Sequence, residues 1–380
     1  MIAGTMGLLL RYAVLGGIPL NYQFLIHGHS HVAMLGWLYL CIYVLLVQLV
    51  VKTHAQLFYR LFWLTQFSVI GMMICFPVQG YALVSITFST LHIFCSYFFV
   101  YHIWKHLKNL SIVSNLLVKA ALIFMIISTI GVWFLGYAMK AYGSDSIFYD
   151  LAIQWFLHFQ FNGWFVFAVL GLVSTGISQT IKRIHEVICI LVISVILTAA
   201  LPAYWHTMLP VFFWLNAIGS LLQFLVLVSF CWLIIQKIDF KKHGFNSKIL
   251  IYFGMGSLLL KSAFQLTTLS ESLVFAAFEN RNLIIGFIHL LMLGAISSLL
   301  FYMILKFYRP KSNQLTLFGI FLFLTGIVTS ELLMLFQGVI IFKGSTTFQF
   351  YYWLLFYASI LLVAGIILFT LNLLFKNRIH

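Results

Sequence analysis

Long apolar runs, parted by short polar stretches, set the pattern of this chain. A helix needs about 20 apolar residues to cross the hydrocarbon layer of a bilayer. By that ruler the sequence divides into twelve spans, 3–19, 26–51, 58–80, 81–104, 114–139, 149–178, 184–207, 209–236, 247–270, 281–307, 314–342 and 347–375. The first is interrupted by Arg11, so either helix 1 is stubby or the protein begins upstream. It lacks the basic leader and small-residue cleavage site of a signal peptide. The loops leave no room for a soluble domain, and the expected architecture is one all-α integral membrane domain over residues 1–380 with about twelve transmembrane helices. Pro77 and Pro202 fall near helix ends, whereas Pro19 and Pro310 mark turns. No internal repeat stands out.

Composition agrees with the pattern. With 63% hydrophobic residues, 7% charged residues and a mean hydropathy of +1.08, the chain is no soluble globule, in which about a quarter of residues are charged. Its net charge of +14 would point to nucleic acid in a soluble protein, but here the basic residues sort by side. The face reached after even-numbered helices holds Lys52, Arg60, Lys105, Lys108, Lys119, Lys182, Arg183, Lys237, Lys241, Lys242, Lys248, Lys306, Arg309, Lys311, Lys376 and Arg378; the other holds Lys140, Arg281 and Lys343. Loops rich in Lys and Arg stay cytoplasmic. The lipid bilayer is therefore the expected partner and nucleic acid is not, with both termini cytoplasmic in a multi-pass protein of a bacterial inner membrane. Cys41, Cys75, Cys95, Cys189 and Cys231 lie in apolar runs without metal spacing and read as packing residues.

Histidine carries the candidate chemistry. The stretch LIHGHSHVAMLGW sets His27, His29 and His31 at the entrance of helix 2, where imidazoles need partners that lipid does not offer. Parity of the spans brings His158 of helix 6, His206 at the end of helix 7 and His289 of helix 10 into the same outer half. Imidazole suits haem iron, copper and zinc, and no thiolate or carboxylate cluster accompanies these residues. His27 and His31 share a helical face, so at most two of the three serve one site readily. The plainer alternative is a set of helix-to-helix hydrogen bonds, strongest for His206 after Tyr204 and Trp205. His92, mid-helix 4, is intermediate. His54, His102, His106, His185 and His243 sit near the basic face and read as solvated or lipid-facing.

Twelve helices with a helix 2 histidine before Gly36 and Trp37, and further histidines on helices 6, 7 and 10, resemble subunit I of the haem-copper oxidases and nitric oxide reductases. HGHSHVAMLGW also resembles a motif of the NnrS family of membrane haem and copper proteins, with His29 and His31 at its paired positions; LHFQFNGW and GFIHLLMLG are similar to further blocks of divergent members. The resemblance implies a haem-copper oxidase subunit I-like bundle and a b-type haem (haem b) between a helix 2 histidine, His31 before His27 or His29, and His289. It implies copper or another metal at His158 and His206, and a quinol, cytochrome or other respiratory subunit as electron donor. The match has gaps. Trp205 precedes His206 where the oxidases pair histidines, Leu291 follows His289 where they repeat one, and Asn162 stands at the place of their tyrosine. Electron transfer or handling of O2 or NO with an incomplete ligand set is the expectation. A metal-ion permease and a scaffold subunit of a respiratory complex are the alternatives.

Three further ionisable groups lie within spans. Lys261 and Glu331 suggest a buried ion pair or a proton path. Arg11 suits either a haem propionate or a side chain reaching the outer surface. Trp37, Trp155 and Trp164 fit core packing, or packing on a macrocycle.

Overall fold

A backbone in hydrocarbon has to satisfy its own hydrogen bonds, and the described residues do so as helices, without a strand among them. The computed structural model describes residues 1–17, 19–52, 55–177, 181–239, 244–308 and 314–376. His54, His243, Pro310, Lys241, Lys242, Arg309, Lys311 and Arg378 lie outside the described residues.

Among those residues, eleven helices are long and apolar enough to cross a membrane. After α1 (Ile2–Gly16) they are α2 (Tyr22–Val50), α3 (Ala55–Gln79), α4 (Leu83–Trp104), α5 (Ile112–Tyr142), α6 (Ile147–Gly176), α7 (Ile184–Thr207), α8 (Pro210–Lys237), α9 (Phe245–Leu269), α10 (Arg281–Tyr308), α11 (Gln314–Phe342) and α12 (Tyr351–Lys376). The chain is thus an all-α, multi-pass membrane protein, and α1 is an apolar helix of 15 residues. Pro77 proves to lie inside α3. Large side chains such as Trp63, Trp133, Trp214 and Phe321 stay exposed, as a lipid-facing surface requires.

The chain divides into two compact units. Unit 1 comprises Met1–His102, Lys241–Phe253 and Asn282–His380; unit 2 comprises Ile103–Phe240 and Gly254–Arg281. In unit 1, α11 and α12 meet along a glycine seam: a Cβ on Gly326 would come within 2.6 Å of the Leu362 nitrogen, and one on Gly365 would meet the backbone of Phe323 and Gly319. Gly28, between two of the histidines, does the same for α2, since a Cβ there would lie 2.8 Å from Pro77 Cγ on α3 and 2.9 Å from Met6 Cε on α1. In unit 2, α6 is buried at every residue from Val166 to Val173, and Gly131 lets α5 approach the Ala152 carbonyl.

One expectation needs correcting. Helix 2 begins at Tyr22, where the Asn21 side-chain oxygen accepts from the Phe24 N–H at 3.1 Å. Its histidines therefore lie inside the helix and not at its mouth. At about 1.5 Å of rise per residue, His31, His289 and His158 come roughly 12–16 Å along their helices. A recurrence is also present. Directly after His31, His158 and His289 the backbone widens into π-helical turns, Val32–Tyr39, Phe159–Phe165 and Leu290–Ser297. Each histidine is followed five residues later by a glycine, Gly36, Gly163 and Gly294, and the three helices are four apart in chain order. Such turns are rare and concentrate at functional sites.

Close backbone contact makes the seam sensitive to bulk. Gly365→Leu should lower stability by about 1–3 kcal/mol, read as a lower thermal unfolding midpoint in detergent; an unchanged midpoint would show that the seam tolerates a side chain.

Candidate functional site

Unit 1 holds most of the candidate ligands, in two groups. The first joins α1, α2, α10, α11 and α12. Arg11, His29 and His289 lie within electrostatic reach of one another, and Arg11 likewise of Glu331 and Tyr351. The His29 Nδ1 faces the Ala3 carbonyl of α1 at 2.9 Å. With that nitrogen donating, Nε2 keeps its lone pair, the arrangement that orients metal-binding imidazoles. Gly7 makes room for the ring, because a Cβ there would stand 3.0 Å from His29 Cε1.

Two charges in this group lack strong partners. Arg11 makes its one hydrogen bond among the described residues from Nη2 to the Met334 sulfur, at 3.6 Å. The Glu331 Oε1 is buried without a hydrogen-bond partner, while its Oε2 abuts α10 at Gly286, one turn before His289. The two residues interact electrostatically without forming an ion pair. Tyr351 donates its hydroxyl hydrogen to Asn282 Oδ1 at 2.9 Å, tying α12 to the start of α10.

The second group joins α2, α3 and α4. The His31 Nδ1 faces the His27 carbonyl one turn back at 2.9 Å, and its ring stacks on Phe76 with centroids 4.1 Å apart. His27 meets the edge of Tyr81 at 4.7 Å. His31 lies within electrostatic reach of His27 and of His92, whose ring is buried against Tyr39. The pairing that the resemblance implied, His31 with His289, thus meets a different neighbourhood: it is His29 that accompanies His289 and Arg11. His92 was the residue that sequence reasoning undervalued, because a lone mid-helix histidine carries no spacing signal. The π turn of α2 links to that of α10 through Trp37 Nε1, which donates to Ser297 Oγ at 3.0 Å.

Unit 2 contains His158, His206 and Lys261. The His158 Nε2 faces the Val195 carbonyl of α7 at 2.8 Å, and its Nδ1 lies 3.5 Å from the Asn162 amide nitrogen. The Lys261 ammonium donates to Asn162 Oδ1 at 2.6 Å and to Gln265 Oε1 at 2.8 Å; the Gln265 amide donates on to Ser220 Oγ at 3.4 Å. Lys261 and Glu331 fall in separate units, each with neighbours of its own. His206 closes on Asp150 at 2.7 Å, joining the end of α7 to the first turn of α6. Both histidines therefore present Nε2 to a protein acceptor. Trp155 donates to the Ile127 carbonyl, and Trp164 is buried.

Among the described residues, no three His, Cys, Asp or Glu side chains gather closely enough to hold a metal ion. No protein-family model matches the chain, and no curated protein matches it either.

Asn162 is the hinge of the unit 2 network, accepting from Lys261 and facing His158. Asn162→Leu should destabilise the protein by on the order of 1–3 kcal/mol, because a buried ammonium loses a close acceptor. Thermal unfolding in detergent checks this, and an Asn162→Leu protein as stable as the parent would contradict it.

Proposed function

We propose that this protein binds one b-type haem in unit 1, which His29 and His289 would hold, with Arg11 as the partner of a propionate. The observation that carries the reading is that Arg11 reaches Met334, which packs beside Gly286 one turn before His289, while the His29 ring lies on Gly7, one turn before Arg11. The donor set suits the group. His29 has its Nδ1 anchored on a carbonyl, leaving Nε2 for iron, and Arg11 has five N–H donors facing little beyond a thioether.

When bound, the haem would supply a one-electron couple or a position for a diatomic gas. The chain's own residues do the rest. The Ala3 carbonyl fixes the tautomer and orientation of His29 and makes its Nε2 more basic. Arg11 offsets negative charge in a medium of low dielectric, where such an interaction is stronger than in water. The apolar helices keep water away. On this reading the protein is an inner-membrane oxidoreductase or gas-handling protein related to haem-copper oxidase subunit I, with cytoplasmic termini and a quinol or cytochrome as electron donor.

A second reading, a metal-ion permease, draws on the π turns. Wide π-helical turns concentrate at functional sites, and α2, α6 and α10 each carry one just after a histidine. Metal uptake by proteoliposomes of haem-free protein would favour it.

Protein purified from haem-supplied cells should show a Soret band and a reduced b-type spectrum, and His289→Ala should abolish both. Protein that stays colourless after haem supply would refute the haem reading.

A further inference from the structure

Two helices that share a ligand pair have to agree in depth, and hydrogen bonds between them record how they are set. Within unit 1, α2 and α10 are joined in this way twice. The Trp37 Nε1–H donates to Ser297 Oγ at 3.0 Å, and further along both helices the Gln48 amide donates to the Tyr308 hydroxyl at 3.0 Å. Each bond joins residues that lie 260 apart in the chain. A constant difference means that α2 and α10 run parallel and keep one register over this length. His29 and His289 differ by the same 260, each standing eight residues before its helix's member of the Trp37–Ser297 pair.

The Trp37–Ser297 contact is held from both sides. Ser297 is 2% exposed and sends its own hydrogen to the Met292 carbonyl, within the π turn of α10, at 2.8 Å. Its oxygen is thereby left to accept from Trp37, which lies in the π turn of α2. The indole packs on Phe301 with centroids 5.4 Å apart, and Phe301 meets Phe323 of α11 at 5.1 Å and Phe369 of α12 at 4.4 Å. One hydroxyl therefore satisfies a carbonyl of one π turn and receives the donor of the other. The Gln48–Tyr308 bond is exposed at the far ends of the two helices and constrains them less.

Register decides which histidine of α2 is level with His289. A shift of two positions, from His29 to His31, is a displacement of about 3 Å along the helix, whereas a binding constellation tolerates misplacement of about 0.5 Å. We infer that Trp37 and Ser297 are positioning residues, whose hydrogen bond holds His29 level with His289. The inference rests on the haem reading, because the pair it aligns is the pair of ligands named there. It adds a role for the indole N–H and the serine hydroxyl, neither of which would touch the haem.

The test uses the full chain purified from haem-supplied cells, with Trp37→Phe, which loses the donor and keeps a ring against Phe301, with Ser297→Ala, and with the two combined. The rate of haem loss to an excess of a scavenging apoglobin should rise about tenfold in each single variant, and the double variant should be no faster than either, since both remove one bond. The low-spin electron paramagnetic resonance signal of the oxidised protein, which reports how two imidazoles are set on one iron, should shift in all three. Trp214→Phe, at an exposed site of unit 2, should change neither readout. Trp37→Phe decides alone if Ser297→Ala does not yield monodisperse protein. A parental rate and signal in Trp37→Phe would overturn the positioning role and leave the haem reading standing, whereas a colourless parent protein would overturn both.

Discussion

In hydrocarbon a polar group either finds a partner within the protein or destabilises it by several kcal/mol, and that constraint governs this molecule. The backbone meets it by forming helices over nearly all of the described residues. The histidines meet it one nitrogen at a time. His29 and His31 each engage Nδ1 with a carbonyl and keep Nε2 for something else, whereas His158 and His206 engage Nε2 with Val195 and Asp150. The division follows the two units. In unit 1 the engaged nitrogen of His29 and His31 is Nδ1, and in unit 2 that of His158 and His206 is Nε2.

The same constraint explains the spread of charge. Lys261 donates into a string of neutral side chains running from Asn162 through Gln265 to Ser220. Arg11 and Glu331 are treated differently. They approach without closing, one on a thioether and the other with an orphan oxygen, so the region beside His289 retains unspent capacity for a polar ligand.

Apolar length made the twelve helical segments legible in the sequence, because span length depends on local composition alone. The first histidines were visible too, since three within five residues exceed what packing needs. Other features depended on distance in the chain. Nothing in His31 or His29 taken singly tells which one meets His289, because that choice rests on α1 supplying the Ala3 carbonyl and Gly7. The π turns were missed as well. A histidine followed five residues later by glycine is too sparse a signal to register until three helices are seen to widen at the same place.

The central claim is that His29, and not its neighbour two residues on, shares a haem with His289. The most direct measurement is the Soret absorbance per chain of His29→Ala and His31→Ala proteins purified from haem-supplied cells. The account predicts a loss of about tenfold or more in His29→Ala and a band of parental intensity in His31→Ala. A Soret band retained in His29→Ala and lost in His31→Ala would contradict it.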